Sequence, residues 1–313
     1  MTISAGATIR PVTDPARGLH DGHLHLDDSI DRVVVTDVDL DGYLETPHRR
    51  LPVDTAAVAA QPLDPAVART LGVIQRLEGS ALAESRAMLA TWTGNEARVT
   101  AFLATWLVER YWQARALRDV LTLDDPVERP RPLAAAGPAT TLRRIHVARV
   151  QPLLSPLWTV LAGEAVTAGH MMRLAIQETW LREALTLLAG RLDGEARRVA
   201  LEVAGRHDDA IAFLRAEATA RVTRSRREAI AARLVLTLDD PLHGGGVPDP
   251  DLPAALAELG ADPADLAALD RARHDLVRLL PGADLPLGPS SRVSARTRAA
   301  LPSLTARDSG TGA

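Results

Sequence analysis

The chain has 313 residues, enough for one large or two small packed domains, with 46% apolar residues, only 3% aromatics and a net charge of −4. The core must therefore be mostly Leu, Ala and Val, a composition that favours helix over sheet, and the acidic balance argues against a nucleic-acid-binding surface. All 36 basic residues are arginines and cysteine is absent, which removes lysine Schiff-base and P-loop chemistry, disulfides, thiolate metal sites and cysteine nucleophiles.

The first thirty residues carry no basic segment followed by an apolar one, and no apolar stretch reaches about 18 residues without a charge. A cytoplasmic location and no membrane span are the expectation. Residues 1–63, rich in Asp, Pro, Thr and Val, read as a loosely ordered N-terminal arm with one short strand at Arg32–Val38. The arm contains "HDGHLHLDD". A His-x-His after a strand binds metal in barrels of repeated strand–helix units, but the helical remainder of this chain does not fit such a barrel. A loose divalent-cation site is the other metal reading for His20, His23 and His25, and their role stays open.

Asp64-Pro65 is a strong helix start, an N-cap with proline at the first helical position. The helix that follows carries Val67, Leu71, Ile74, Leu82, Leu89 and Trp92 on one face, with Ser85 in the same stripe. "TGNE" at Thr93–Glu96 turns the chain, and a second helix shows Val99, Leu103, Trp106, Leu107, Ala114, Leu117 and Leu121 at the same spacing. Residues 127–139 form a proline-rich crossover. A third helix is expected from about Ser155 to Gly190. A fourth, after the turn "RLDGE", carries Val199, Val203, Ala210, Ile211 and Leu214 and runs on to the second "VLTLDDP". That phrase occurs at Val120–Pro126 and Val235–Pro241, closing each of two hairpins, where proline forbids further helix. "HGGGVPDPD" is a loop, followed by short helices at Leu252–Leu259 and Pro263–Leu280 and a disordered tail. The expected division is a helical bundle over 64–240, a C-terminal helical extension over 241–281 and a tail over 282–313.

Polar residues on an apolar stripe need a partner, because burying them alone is costly. Glu78 and Arg110 both lie on the core faces of their helices, sixteen residues before and after Gly94. At about 1.5 Å of rise per residue they meet roughly 24 Å from the turn. In the second hairpin Glu164 and Glu178 share a stripe with Leu157, Leu161, Ala168, Met171 and Ala175. His207 lies four after Val203, and Glu178 and His207 are level around Asp193. His207, followed by two aspartates, also reads as an ordinary half-exposed histidine, and Met171 and Met172 as plain core.

"WLVERYWQARALRDVL" (Trp106–Leu121) resembles the bacterial acyl-carrier-protein desaturase pattern W-x-x-E-E-x-x-H-G-x-A-L-R-D-x-L. "GEAVTAGHMMRLA" and "AGRHDDAIAFLRAEATARV" are similar to the third and fourth helices of that group. "SRREAIAARLVL" through "LVRLLPG" resembles the tail of ferritin-like proteins common in actinobacteria. The likeness runs from Pro65 to Gly282 and implies an all-α fold: a ferritin-like four-helix bundle with a long crossover and extra C-terminal helices. Such bundles hold two irons with one Glu on each of two helices and Glu-x-x-His on each of the other two. By position Glu78 matches the first-helix Glu and Glu109 a non-ligating Glu. Arg110 stands at a ligand Glu and Gln113 at a ligand His. The third-helix Glu is Glu178 by level or Glu164 by local likeness. Ala204 replaces the fourth-helix Glu and His207 keeps the His.

A guanidinium does not release its proton to a metal and repels a dication. The expected core polar cluster is therefore Glu78, Glu109, Arg110, Gln113 and His207: a decayed metal site filled by an Arg110–Glu78 ion pair, with Gln113 and His207 hydrogen-bonding nearby. No cofactor is expected. The expected role is binding or accessory, with an acyl or other apolar small molecule as ligand. The alternatives are a di-iron or mono-iron oxidoreductase of the desaturase or oxygenase type with a remodelled site, a single metal falling on Glu78, Glu164 or Glu178, and His207, and a structural homodimeric bundle.

Overall fold

The computed structural model describes residues 36–121, 163–246 and 249–282. These are all helical in architecture, with no strand among the described residues. Thr36–Val38 are not extended ladder residues, which removes the described end of the strand expected at Arg32–Val38; the rest of that segment lies outside the described residues. So do His20, His23 and His25, the crossover at 127–139, the expected helix start at Ser155, the first Thr122–Pro126 and the tail after Gly282.

The arm expected to be loosely ordered carries two capped helices, α1 (Leu40–Glu45) and α2 (Thr55–Ala60), started by the side chains of Asp39 and Asp54. Leu40, Leu51 and Val58 are buried. The first long helix is broken. Helix α3 (Pro65–Glu78) starts at Asp64, whose carboxylate accepts from the backbone N–H groups of Ala66 and Val67, and ends at Gly79. Helix α4 (Ala81–Leu89) follows, then a 3₁₀ turn at Trp92–Asn95 and the uninterrupted α5 (Ala97–Val120). Gly79 and Ser80 are poor helix formers, and Ser80 Oγ bonds the Leu77 carbonyl and Glu84 instead of projecting from a continuing helix.

The expected fourth helix is three. Helix α6 (Val166–Ala189) is followed by α7 (Gly194–Gly205), α8 (Asp208–Arg224) and α9 (Arg226–Leu238). Ser225 is extended at φ −140°, ψ 125°, and its hydroxyl accepts from the Glu228 N–H, so Ser225-x-x-Glu228 restarts the helix as a capping pair. Helices α10 (Leu252–Leu259) and α11 (Pro263–Val277) complete the described chain.

Helix α6 is the hub. It packs against α3, α7, α8, α9 and α11 and is buried on every side over most of its length, so it lacks the polar outer face of a surface helix. Where α9 crosses it, Gly169 lets the backbones approach: a β-carbon there would lie 2.5 Å from Val235 Cγ2. Around α6 a closed set of contacts runs α3 to α5, α5 to α7, α7 to α6 and α6 to α3. The interior divides into two apolar halves. Leu71, Ile74, Leu117, Leu181, Leu188, Val199 and Val203 fill one, and Phe102, Trp106, Met171, Leu174, Phe213 and Leu214 the other. All four helical lines pass from one half to the other at the same level, and that level is polar.

Residues 36–60 run as a strap along α5 and the α7–α8 line. Arg98 Nη2 donates to the carbonyls of Thr36 and Val38, and Thr36 Oγ1 donates to Glu217. Farther on, Arg206 bonds the Arg49 carbonyl, Arg198 the Pro52 carbonyl, and Asp54 N–H donates to Glu195.

Candidate functional site

At the polar level, one residue from each helical line meets the others: Glu78 at the end of α3, Arg110 in α5, Glu178 in α6 and His207 in the turn between α7 and α8. All four are buried to 1% exposure or less. Arg110 Nε lies 2.7 Å from Glu78 Oε2, and Glu78 Oε1 lies 3.0 Å from His207 Nε2. His207 Nδ1 lies 2.5 Å from Glu178 Oε2, and Glu178 Oε1 returns to Arg110 Nη1 at 2.6 Å. The four side chains thus close a ring of alternating charge, each carboxylate bridging the guanidinium and the imidazole.

The two carboxylates are held differently. Glu178 also accepts from Trp106 Nε1 at 3.0 Å, so three directed hydrogen bonds reach it. Glu78 has close cationic neighbours but none aligned as a hydrogen bond, so its attachment is Coulombic. Arg110 spends its remaining nitrogen on the Leu77 carbonyl at 2.7 Å and lies over the Trp106 ring. That carbonyl lies in the last turn of α3, where it also accepts from the hydroxyl and N–H of Ser80, so the break at Gly79 is part of the site.

Burial pushes the Glu178 carboxyl up, but the charges of Arg110 and His207 and the hydrogen bonds outweigh it and bring it down to about 2. For His207 burial favours the neutral ring, whereas Glu78 and Glu178 outweigh that and raise it to about 9. With both ring nitrogens against carboxylates, the imidazolium is the form that fits, and the ring then sums to zero charge: two cations against two anions.

Two members of the expected cluster stand outside the ring. Glu109 is buried but, one residue from Arg110, faces the strap: it accepts from Tyr43 Oη at 2.6 Å and from His48 N–H at 2.7 Å. Burial raises its carboxyl above the ordinary range against the lowering effect of those two bonds, and burial followed by the Glu109 charge raises the Tyr43 phenol. Tyr43 stacks on Phe102, which stacks on Phe213. Gln113 is buried beside the ring level, but its carbonyl oxygen has no hydrogen-bond partner. It makes no hydrogen bond to His207, whose two ring nitrogens face the two glutamates.

Glu164 sits in the 3₁₀ turn Gly163–Ala165 before α6, fourteen residues and about 21 Å of helical rise from Glu178, and is not part of the ring. Among the described residues no group of three or more His, Asp or Glu side chains is disposed to hold a metal ion. Where Glu78, Glu178 and His207 do converge, the imidazole lies between the carboxylates and Arg110 closes the remaining side. The four residues therefore do not fit a di-iron centre.

A second buried cluster has no counterpart in the sequence reading. Arg173 pairs with Glu84 at 3.1 Å and Asp239 at 2.8 Å, and Gln177 donates to Glu84 and to the Pro241 carbonyl. Burial and the Glu84 and Asp239 charges act in opposite senses on Arg173, and the charges prevail, raising it. The signal was the near-absence of charge in α6: Arg173 and Glu178 are its only charged residues between Val166 and Leu181, as expected of a helix covered all round. A third set joins Arg221 to Glu96 and Glu217, and Arg98 to Glu217, under the start of the strap. His170 Nδ1 lies 2.8 Å from Thr93 Oγ1, and burial, with Arg173, lowers this histidine to about 3, so it is neutral.

No family model matches this chain, and neither a curated protein nor a solved structure matches it. No described helix is long and apolar enough to cross a membrane.

Proposed function

We propose that this chain is a ferritin-like four-helix-bundle protein in which a closed ring of charged side chains stands where related bundles coordinate two irons, and that it has a binding or accessory role instead of an oxidative one. The observation that carries the reading is the position of Arg110. A permanent cation bridges the two carboxylates that would otherwise bridge metal, while His207 occupies their remaining oxygens. Each carboxylate oxygen and each imidazole nitrogen of the ring already faces an oppositely charged member of it. A dication entering the ring would have to displace a guanidinium buried at 1% exposure and break its three contacts. The ligand class we favour is an acyl or similarly apolar small molecule, the class that the resemblance to acyl-carrier-protein desaturases implies.

The deciding experiment is metal analysis of the full chain expressed in iron-rich medium, with native mass spectrometry of the same preparation. Iron well below one per chain is the expected result. About two irons per chain, as a di-iron bundle requires, or a peroxo absorption band on adding oxygen would overturn the proposal in favour of a working oxidoreductase.

A further inference from the structure

The strap of residues 36–60 shares no backbone-to-backbone hydrogen bond with the described residues beyond Gln61. The main-chain bonds it makes are local, as from Leu40 N–H to the Val38 carbonyl and from Val58 N–H to the Asp54 carbonyl. Its polar contacts with the body all end on charged side chains. Arg98 and Glu217 hold its start, Glu109 its middle, and Glu195, Arg198 and Arg206 its end, with His48 and Arg50 3.8 Å from Asp209 and Asp119. Its buried apolar side chains are Leu40, Leu51 and Val58. Helices α1 and α2 have six residues each, well short of the roughly 12–15 at which a helix begins to hold alone in water, so a detached strap keeps no structure of its own. What it covers is apolar. Tyr43 stacks on Phe102 of α5, which stacks on Phe213 of α8 at 4.2 Å between ring centres, and both phenylalanines are buried at 1% exposure or less.

We propose that the strap is a lid: residues 36–60 lift from the body as one unit while the helices beneath stay folded, uncovering the α5–α8 seam at Phe102 and Phe213. Lifting breaks side-chain contacts and exposes a few apolar groups, but no helix of the body loses a main-chain bond. The opening therefore belongs to the low end of the local unfolding scale, below global unfolding. Because the polar attachment is ionic or charge-assisted throughout, salt weakens it: the screening length falls from about 10 Å at 0.1 M to about 3 Å at 1 M. The lifting does not depend on the ring at Arg110. Use of the uncovered seam as an entrance for an apolar small molecule rests on the acyl-ligand proposal.

Amide hydrogen exchange of the full chain, read by mass spectrometry, tests the lid. Raising salt from about 0.1 M to about 1 M should quicken exchange in α1 and α2 together by about tenfold, with α6 unchanged. Tyr43→Ala removes the ring lying on Phe102 without altering the body. At low salt it should quicken exchange across the strap to a similar degree. It should also bind the dye anilinonaphthalene sulfonate, which reports exposed apolar surface, at least about tenfold more than wild type does. The lid is overturned if α6 quickens along with the strap, if α1 and α2 respond separately, or if exchange across the strap stays at the wild-type rate in Tyr43→Ala. Lifting in Tyr43→Ala without dye binding would overturn the apolar entrance alone.

Discussion

Glu78 and Glu178 occupy matching places in the core: each gives one carboxylate oxygen to Arg110 and the other to His207, yet only Glu178 is reached by aligned hydrogen bonds. The ring is therefore a symmetric arrangement of charge built on an asymmetric arrangement of bonds. Its stability depends on completeness, because desolvating each ion costs several kcal/mol that only the other members offset.

Removing one member should consequently cost more than the ring contributes. Arg110→Ala leaves two carboxylates buried against one imidazolium and should destabilise the fold by about 3–5 kcal/mol in urea denaturation. Glu178→Gln should cost more than Glu78→Gln, since it removes the carboxylate oxygen bonded to His207 and weakens the two bonds that Trp106 and Arg110 donate to the other oxygen. Replacing all four residues by apolar ones of similar volume should be close to neutral. An Arg110→Ala chain with an unchanged midpoint would show that the guanidinium does not balance these carboxylates.

The pH dependence of stability follows from the two shifts. His207 is raised from 6.5 to about 9, so its contribution is complete below pH 6.5 and lost as pH rises through 9. Glu178 is lowered from 4.5 to about 2, so its contribution is complete above pH 4.5 and lost as pH falls toward 2. The ring should be most stabilising between those two limits, and urea midpoints should decline on both sides. Substituting His207→Gln should abolish the alkaline decline while leaving the acid one. An alkaline decline of the same size in that variant would assign it elsewhere.

Helix rise makes part of this site readable in advance. Two helices joined by a short turn must bring residues equidistant from it to one level, which is why Glu78 and Arg110, sixteen residues either side of Gly94, lie 2.7 Å apart. What spacing does not carry is azimuth to better than one residue. Arg110 is core-facing by its stripe and Glu109 joins the expected cluster by the resemblance, but about 100° of helical turn sends Glu109 to the strap and Arg110 to the ring. Nor does periodicity reveal a break where the apolar pattern continues across it, as at Gly79-Ser80, where the Ser80 hydroxyl bonds back to the Leu77 carbonyl, and at Ser225, whose side chain caps the next helix. Arg173 and Gln177 were hidden because a helix covered on all sides buries its polar residues whichever stripe they occupy.

The strap should respond to Glu109 alone. Its carboxylate accepts from both Tyr43 and the His48 N–H, so Glu109→Gln weakens two of the contacts that hold the middle of the strap to α5. Amide exchange over residues 40–50 should quicken by about tenfold, in keeping with about 1–2 kcal/mol lost from a charged hydrogen bond, while exchange in α6 stays unchanged. Equal acceleration in both would mean that the strap opens only with the whole fold.

Restoring the ligand side chains should reverse the proposed loss of metal. On the proposed relation to di-iron bundles, Arg110, Gln113 and Ala204 would stand where Glu, His and Glu ligate, and all three are buried at 4% exposure or less. Gln113 follows Arg110 by three residues and Ala204 precedes His207 by three, so each pair has the spacing of a Glu-x-x-His unit. The triple substitution Arg110→Glu, Gln113→His, Ala204→Glu removes the cation that holds the ring shut. It leaves four carboxylates and two imidazoles converging on one layer, an arrangement unstable without compensating positive charge. Such a chain should be strongly destabilised alone and recover stability on adding ferrous iron, seen as a metal-dependent rise in melting temperature, with wild type unaffected. Arg110→Glu alone should not recover, because too few ligands face the layer. If the triple variant gains no stability from iron or any other divalent ion, these residues do not occupy ligand positions, and the relation to di-iron bundles falls with them.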